Sequence, residues 1–190
     1  TLNKDWLEML LRYMEDQSLA GAGGQLIETG SHRIPDQWRK HYLYQTRGVT
    51  KQHMDFLPGC NTLFRKKALV SVGGYDERYY FQHEDTELGG RLKAAGWKML
   101  YVPDAIAFHH RNDSVSSVLR RCWGYRHALP ITSMRRLMLE LVRDLCKGIK
   151  NLLTDLIQGR WRFCCTIDAV YFMYQAFYSC KAYLRKDNNF

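Results

Sequence analysis

The hydrophobic positions of this chain change period several times. Over residues 3–16, Trp6, Leu7, Leu10, Leu11 and Met14 recur at helical spacing, with Asn3 placed to cap the helix. Residues 18–28 are glycine-rich and then apolar (Leu26, Ile27), which predicts a buried strand with a close backbone approach. Residues 30–54 mix His32, Arg33, Trp38, Arg39, Lys40, His41, Tyr42, Tyr44 and Arg47 without a period and predict a long loop. A second strand signal over 55–65 is broken by Pro58-Gly59. A short helix over 65–72 stops at Gly73-Gly74, and another over about 85–95 is closed by Gly96. Residues 97–102 and 105–108 predict two short strands split by Pro103-Asp104. From Ser114 onward the pattern is helical. Over 133–157, Met134, Leu137, Met138, Leu141, Val142, Leu145, Ile149, Leu152, Leu153 and Leu156 form one stripe, with Arg135, Arg136, Arg143, Lys147 and Lys150 on the rest. At ~1.5 Å per residue this helix is roughly 35 Å long. Residues 167–184 are apolar and aromatic nearly all round. Asp168, Gln175 and Lys181 interrupt them, short of the ~18 uncharged residues that a membrane span needs.

A chain of 190 residues can bury roughly 70% of its unfolded surface. With 46% hydrophobic and 25% charged residues it is ordinary globular material, which excludes a disordered tail, a collagen-like fibre and a disulfide knot. The formal charge of +9 is unevenly placed: residues 1–110 are net +1, and residues 111–190, with 14 basic and 6 acidic residues, are net +8. The six cysteines (Cys60, Cys122, Cys146, Cys164, Cys165, Cys180) form no C-x-x-C pair, and they read as reduced thiols of a cytosolic protein. No signal peptide opens the sequence. It starts inside a helical pattern, so a fragment of a longer protein is expected.

Three clusters carry candidate chemistry. His83-Glu84-Asp85-Thr86-Glu87 precedes a helix. Acidic side chains there satisfy free amide groups and oppose the positive helix end. One of them can equally accept a proton from a substrate hydroxyl, if it lies within hydrogen-bond reach. Capping and catalysis are compatible, because Glu84 and Asp85 can divide the roles. His109-His110 ends a predicted strand, where alternation sends the two rings to opposite faces and leaves one free to act as a metal ligand or simply to pack. Pro58-Gly59-Cys60-Asn61 offers a close backbone approach and an amide with donor and acceptor, or else an ordinary turn. Nothing pairs Cys60 with an activating base. There is no H-E-x-x-H, Cys/His metal spacing, Walker loop, G-x-S-x-G or G-x-G-x-x-G.

These clusters occur in a characteristic order. Gly59-Cys60-Asn61-Thr62-Leu63-Phe64-Arg65-Lys66-Lys67-Ala68-Leu69 is followed by Val72-Gly73-Gly74-Tyr75-Asp76-Glu77 and then by Glu84-Asp85-Thr86-Glu87-Leu88, with Arg91-Leu92 and Gly96 after it. Tyr101-Val102-Pro103-Asp104-Ala105 and His109 complete the run. It resembles the second half of the catalytic domain of family 2 glycosyltransferases, the inverting GT-A enzymes, closely over about 55–112. The resemblance implies an α/β fold: a partial GT-A mixed sheet with helices over 1–112, followed by a basic amphipathic helical extension over 113–190. It also implies that Asp85 is the catalytic base, with Glu84 orienting the acceptor or the base. Gly59, Cys60, Asn61 and Arg91 would lie on the substrate side. His109 would complete the site of a divalent cation, magnesium or manganese, which supports the leaving diphosphate.

The family's nucleotide-binding half ends in an Asp-x-Asp motif, and no Asp-x-Asp occurs in these residues. The isolated chain is therefore expected to be inactive, or to need that half from elsewhere. The expected reaction of the full-length protein is sugar transfer from a nucleotide-sugar donor to a hydroxyl, on a bacterial envelope glycan or its lipid-linked precursor. The rival expectation is a non-catalytic fragment or degenerate member that serves assembly or membrane attachment. For the basic tail, three readings stand. Its apolar stripe could dip into an anionic membrane surface, which would put the protein in the cytoplasm or peripherally on the inner face of the membrane. The stripes could pack on each other or on a second subunit. Nucleic acid is the least favoured partner, because the basic residues interleave with leucines and no recognition motif occurs. Arg120, Arg121, Trp123 and Arg126 read either as an acceptor or phosphate contact or as an exposed helix face.

Overall fold

A computed structural model describes residues 1–29, 32–43, 47–79, 82–127 and 131–185. The chain divides into two compact units: Thr1–Thr29 with Gln45–His110, and Gly30–Tyr44 with Arg111–Phe190. The sequence division at 112 falls two residues beyond the start of the second unit's main segment. The segment Gly30–Tyr44 goes with the helices rather than with the sheet.

The first unit is a four-stranded mixed sheet. Its strands are β1 (Leu19–Thr29), β2 (Gln52–His53), β3 (Thr62–Phe64) and β4 (Lys98–His110), in the order β2-β4-β1-β3. β1 and β4 run parallel, while β3 on β1 and β2 on β4 are antiparallel. Helix α1 (Trp6–Tyr13) covers one face through Leu10 against Leu19, Ala22, Leu100 and Val102. Helices α3 (Lys66–Ser71) and α4 (Glu84–Ala94) cover the other, where Ala68, Leu88 and Leu92 meet Ala20, Leu57 and Met99. Along β4, Met99 and Leu100 go to opposite faces, as the period of two requires. Leu88 and Leu92 are fully buried, each worth about 1.5–3 kcal/mol, and they fix α4 on the sheet.

Three sequence expectations change here. The helix predicted from residue 3 begins at Trp6. The backbone before it is engaged in a bridge of Leu2 to Ala107, and Asn3 N–H donates to the Ile106 carbonyl at 3.0 Å. The two strands expected around Pro103-Asp104 are one strand with a bulge. Gly24 and Leu26 on β1 align with Val102 and Ala107 on β4, so the prolyl segment loops out while pairing resumes beyond it. A Cβ on Gly24 would fall on the Ala105 backbone, which is the close approach the glycine-rich pattern predicted. Third, the aperiodic stretch contains a helix, α2 (Ile34–Tyr42), in the second unit. Its apolar contacts are Ile34, Trp38 and Tyr42, four residues apart. The period was masked because Asp36 and Arg39 share the buried face, where Arg39 pairs with Asp113 at 2.6 Å. Tyr44 of the same stretch lies outside the described residues.

The second unit is helical: α2, α5 (Val115–Arg126), α6 (Met134–Ile157), α7 (Trp161–Phe163) and α8 (Ala169–Leu184), with a π turn at Cys164–Asp168. Ser114 and Ser117 start α5 with reciprocal side-chain to backbone bonds, a capping box. The apolar core joins Trp38, Val118, Leu119, Cys122, Phe163, Ile167 and Tyr171. Around it lie polar fastenings. Trp38 Nε1–H donates to Asp168 (2.9 Å), Tyr42 O–H to Asp155 (2.7 Å) and Gln175 Nε2–H to the Leu119 carbonyl (2.8 Å). No described helix is long and apolar enough to cross a membrane.

Candidate active site

The candidate site forms where the first turn of α4 meets the 3-10 turn Gly59–Asn61. Glu84 and Asp85 open α4, preceded by His83 at φ 73°. His83 is the single non-glycine residue with positive φ among the described residues. That conformation costs of order 1–3 kcal/mol and persists only where its surroundings enforce it. No side chain caps the helix at its N-cap. Instead the Asp85 carboxylate reaches across to the turn, and its Oδ2 accepts the Gly59 N–H at 2.8 Å. A Cβ at position 59 would sit 2.7 Å from Asp85 Oδ1, so only glycine lets the carboxylate lie this close.

Burial raises the Asp85 carboxyl above its ordinary 3.8. The Gly59 N–H opposes the rise, and the Glu84 charge adds to it. Glu84 Oε2 is buried without a hydrogen-bond partner. Tyr75 is 46% exposed, and its hydroxyl is raised by burial and then by the charges of Asp85 and Glu84, so it belongs to the same cluster. A half-buried carboxylate held at a helix start, with a raised affinity for a proton, is equipped to act as a general base.

The other expected residues divide into two sets. Cys60 is exposed at the turn beside Gly59. Asn61 is 2% exposed, and its amide bonds are all internal. Nδ2 donates to the carbonyls of Gln25 (2.8 Å) and Ala105 (3.1 Å), and Oδ1 accepts the indole N–H of Trp6. It thereby satisfies carbonyls at the β1–β4 bulge and fastens the turn that presents Gly59 and Cys60. Arg91 is likewise engaged. It forks onto Glu87 with two bonds of 2.6 Å and donates to the Val72 carbonyl, tying α4 to the end of α3.

His109 stands opposite Glu28 in the parallel β1–β4 register, at the carboxyl ends of both strands, where open α/β sheets place their ligand crevices. Its Nδ1 is 3.0 Å from Glu28 Oε1. His110 turns elsewhere, to Thr29 (2.8 Å) and Thr1 (3.2 Å). No hydrogen bond or ion pair links His109 to Asp85. Among the described residues no three His, Cys, Asp or Glu side chains converge to hold a metal ion. A hard divalent cation takes about six ligands, so Glu28 and His109 by themselves do not make a complete site.

Sequence reasoning passed over Tyr75 and the strained His83 as site residues. Tyr75 stands in the Val72–Glu77 run already singled out, so its position was visible although its partners were not. The backbone angle of His83 has no signature in residue type.

Comparison with known proteins accords with this geometry. The model of glycosyl transferase family group 2 matches residues 1–183. Over 95 residues the chain is 36% identical to N-acetylglucosaminyl-diphospho-decaprenol L-rhamnosyltransferase of Mycobacterium tuberculosis, covering 47% of this chain and 31% of the relative. Over 139 residues it is 27% identical to pre-mycofactocin glycosyltransferase of the same organism, covering 69% of this chain and 29% of the relative. The chain thus spans about a third of the length of these curated relatives. With its mixed sheet, its helical continuation and a family match over nearly its whole length, this chain belongs to glycosyl transferase family group 2.

Proposed function

We propose that this chain supplies the acceptor side of an inverting glycosyltransferase in which Asp85 is the general base. The observation that carries the reading is the Asp85 carboxylate itself. It is half-buried at the start of α4, aligned by the Gly59 N–H, and raised in proton affinity by burial and by Glu84. The acceptor hydroxyl would give its proton to Asp85 while its oxygen forms the bond to the anomeric carbon. The bond from that carbon to the nucleotide's terminal phosphate oxygen breaks, and its electron pair leaves with the nucleoside diphosphate. One displacement of this kind inverts the configuration.

Glu84 and Tyr75 would orient the acceptor, with Gly59 and Cys60 lining its approach. Asn61 and Arg91 would act by holding the turn and the helix in place. The rhamnosyltransferase relative, whose name includes a decaprenol-linked sugar, supports a lipid-linked or envelope glycan as acceptor and a nucleotide-sugar as donor. His109, paired with Glu28, would contribute to a divalent cation shell completed by other groups. The test is turnover by the protein at its full natural length. Asp85→Asn is expected to lower kcat by about 10²–10⁴-fold. Unchanged turnover would remove Asp85 from the chemistry.

A further inference from the structure

Helix α6 is built inside out. Its buried residues are Leu137, Glu140, Asp144, Gly148, Asn151 and Asp155, a mostly polar face. Its apolar stripe points to solvent: Met138 is 55% exposed, Val142 56%, Ile149 49% and Leu153 52%. Helix α8 packs against α6 and exposes a stripe of its own at Val170, Met173, Phe177 and Leu184.

The charges follow the same inversion. Every described carboxylate of the unit (Asp36, Asp113, Glu140, Asp144, Asp155, Asp168) is buried. Arg126 and His127 meet Glu140 from inside, Arg126 also meets Asp144, and Arg160 holds Asp155. The basic residues Arg135, Arg143, Lys150 and Arg162 stay exposed. Around α6 the sectors therefore run from exposed apolar, through basic, to buried acidic. The outer surface is apolar and positive, with its negative charge withdrawn.

We infer that the exposed apolar and basic surface of α6 docks on an anionic lipid bilayer, with the exposed stripe of α8 as a second contact. The apolar stripe would enter the interface, and the Arg and Lys side chains would meet the headgroups. Charge selects this occupant. A second copy would bring one strongly basic surface against another. A nucleic acid would satisfy the basic residues but leave the apolar stripe in water. An anionic interface answers both features, and a helix of this composition lies on a bilayer rather than crossing it. The inference rests on the second unit alone and does not depend on the assignment of Asp85.

The test is co-sedimentation of the full chain with vesicles of phosphatidylcholine alone, or with roughly a third phosphatidylglycerol. Protein is expected to pellet with the anionic vesicles, weakly with the zwitterionic ones, and less as salt rises. Val142→Asp with Ile149→Asp should abolish pelleting while leaving thermal unfolding unchanged, because both side chains already face solvent. Met173→Asp with Phe177→Asp gives an independent variant on α8, with the same expectation. Arg143→Gln and Lys150→Gln should each weaken binding roughly fivefold. The inference is overturned by absence of pelleting with anionic vesicles at low salt, or by pelleting that both double variants leave intact. Absence of pelleting together with a dimer in sedimentation velocity that Val142→Asp/Ile149→Asp dissolves would assign the face to a second copy instead.

Discussion

The two units obey opposite rules about what goes inside. In the sheet unit, Leu10, Leu88, Leu92 and Met99 are buried, and Asp85, the proposed base, stays partly exposed. In the helical unit, much of the long helix's buried face is acid and amide, and Val142, Leu145, Ile149 and Leu153 face out. The same amphipathic signal in the sequence therefore points inward in one unit and outward in the other. A hydrophobic stripe reports that a surface will leave water. It does not report whether the protein or a partner takes it.

Two carboxylates make the contrast concrete, because burial raises both. Asp85 lies partly exposed beside the Gly59 turn, whereas Asp168 is 5% exposed and faces Trp38 and Asp155. The largest expected effect separates them by function. Asp85→Asn should cost orders of magnitude in turnover and yet unfold no more easily than the parent, since ionising a raised carboxyl opposes folding. An equal loss of stability would make Asp85 a structural residue and erase the contrast.

Next in size are the interiors. Leu92→Ala in the sheet unit should cost about 2–5 kcal/mol by leaving a cavity. Asp144→Ala leaves the half-buried Arg126 with Glu140 as its carboxylate partner and should cost about 1–3 kcal/mol in chemical denaturation. Leu153→Gln, on the outer stripe of α6, should stay within about 0.5 kcal/mol of the parent. A large cost for Leu153→Gln would mean that the stripe is covered in solution.

A smaller loss should follow Gly59→Ala. The new methyl group would displace the Asp85 carboxylate, and turnover should fall by up to about 10²-fold, with KM changing less than kcat. Turnover at the parent's level would show that the Gly59–Asp85 contact is dispensable.

The smallest effect is in pH. Asp168 is raised from 3.8 to about 7, by burial first and then by the neighbouring Asp155. The folded unit therefore keeps a proton that the unfolded chain has already released. Stability contributed by this group is present below pH about 4 and is lost as pH rises toward about 7. Asp168→Asn should flatten the dependence of Tm on pH across that window. A slope unchanged by the substitution would remove Asp168 as its source. Turnover should respond in the other direction, falling as acid protonates Asp85, with a midpoint above the ordinary carboxylate range.

The residue order by itself determined much of this protein. It contained the helices of the sheet unit, strand signals for β1, β3 and the two halves of β4, the turn at Pro58-Gly59 and the Glu84-Asp85 pair at a helix start, because local propensity and spacing govern these. Tertiary structure decided the rest. It joined Gly59 to Asp85 across 26 residues, and it committed Asn61 to the bulge and Arg91 to the Val72 carbonyl. It made a helix of 34–42 through the burial of an Asp36–Arg39–Asp113 cluster whose members lie up to 77 residues apart. It also turned α6 so that Glu140, Asp144 and Asp155 face inward. A carboxylate enters an interior only where a cation or donor already waits, and Arg126, Arg160 and Tyr42 reach those positions only through the fold.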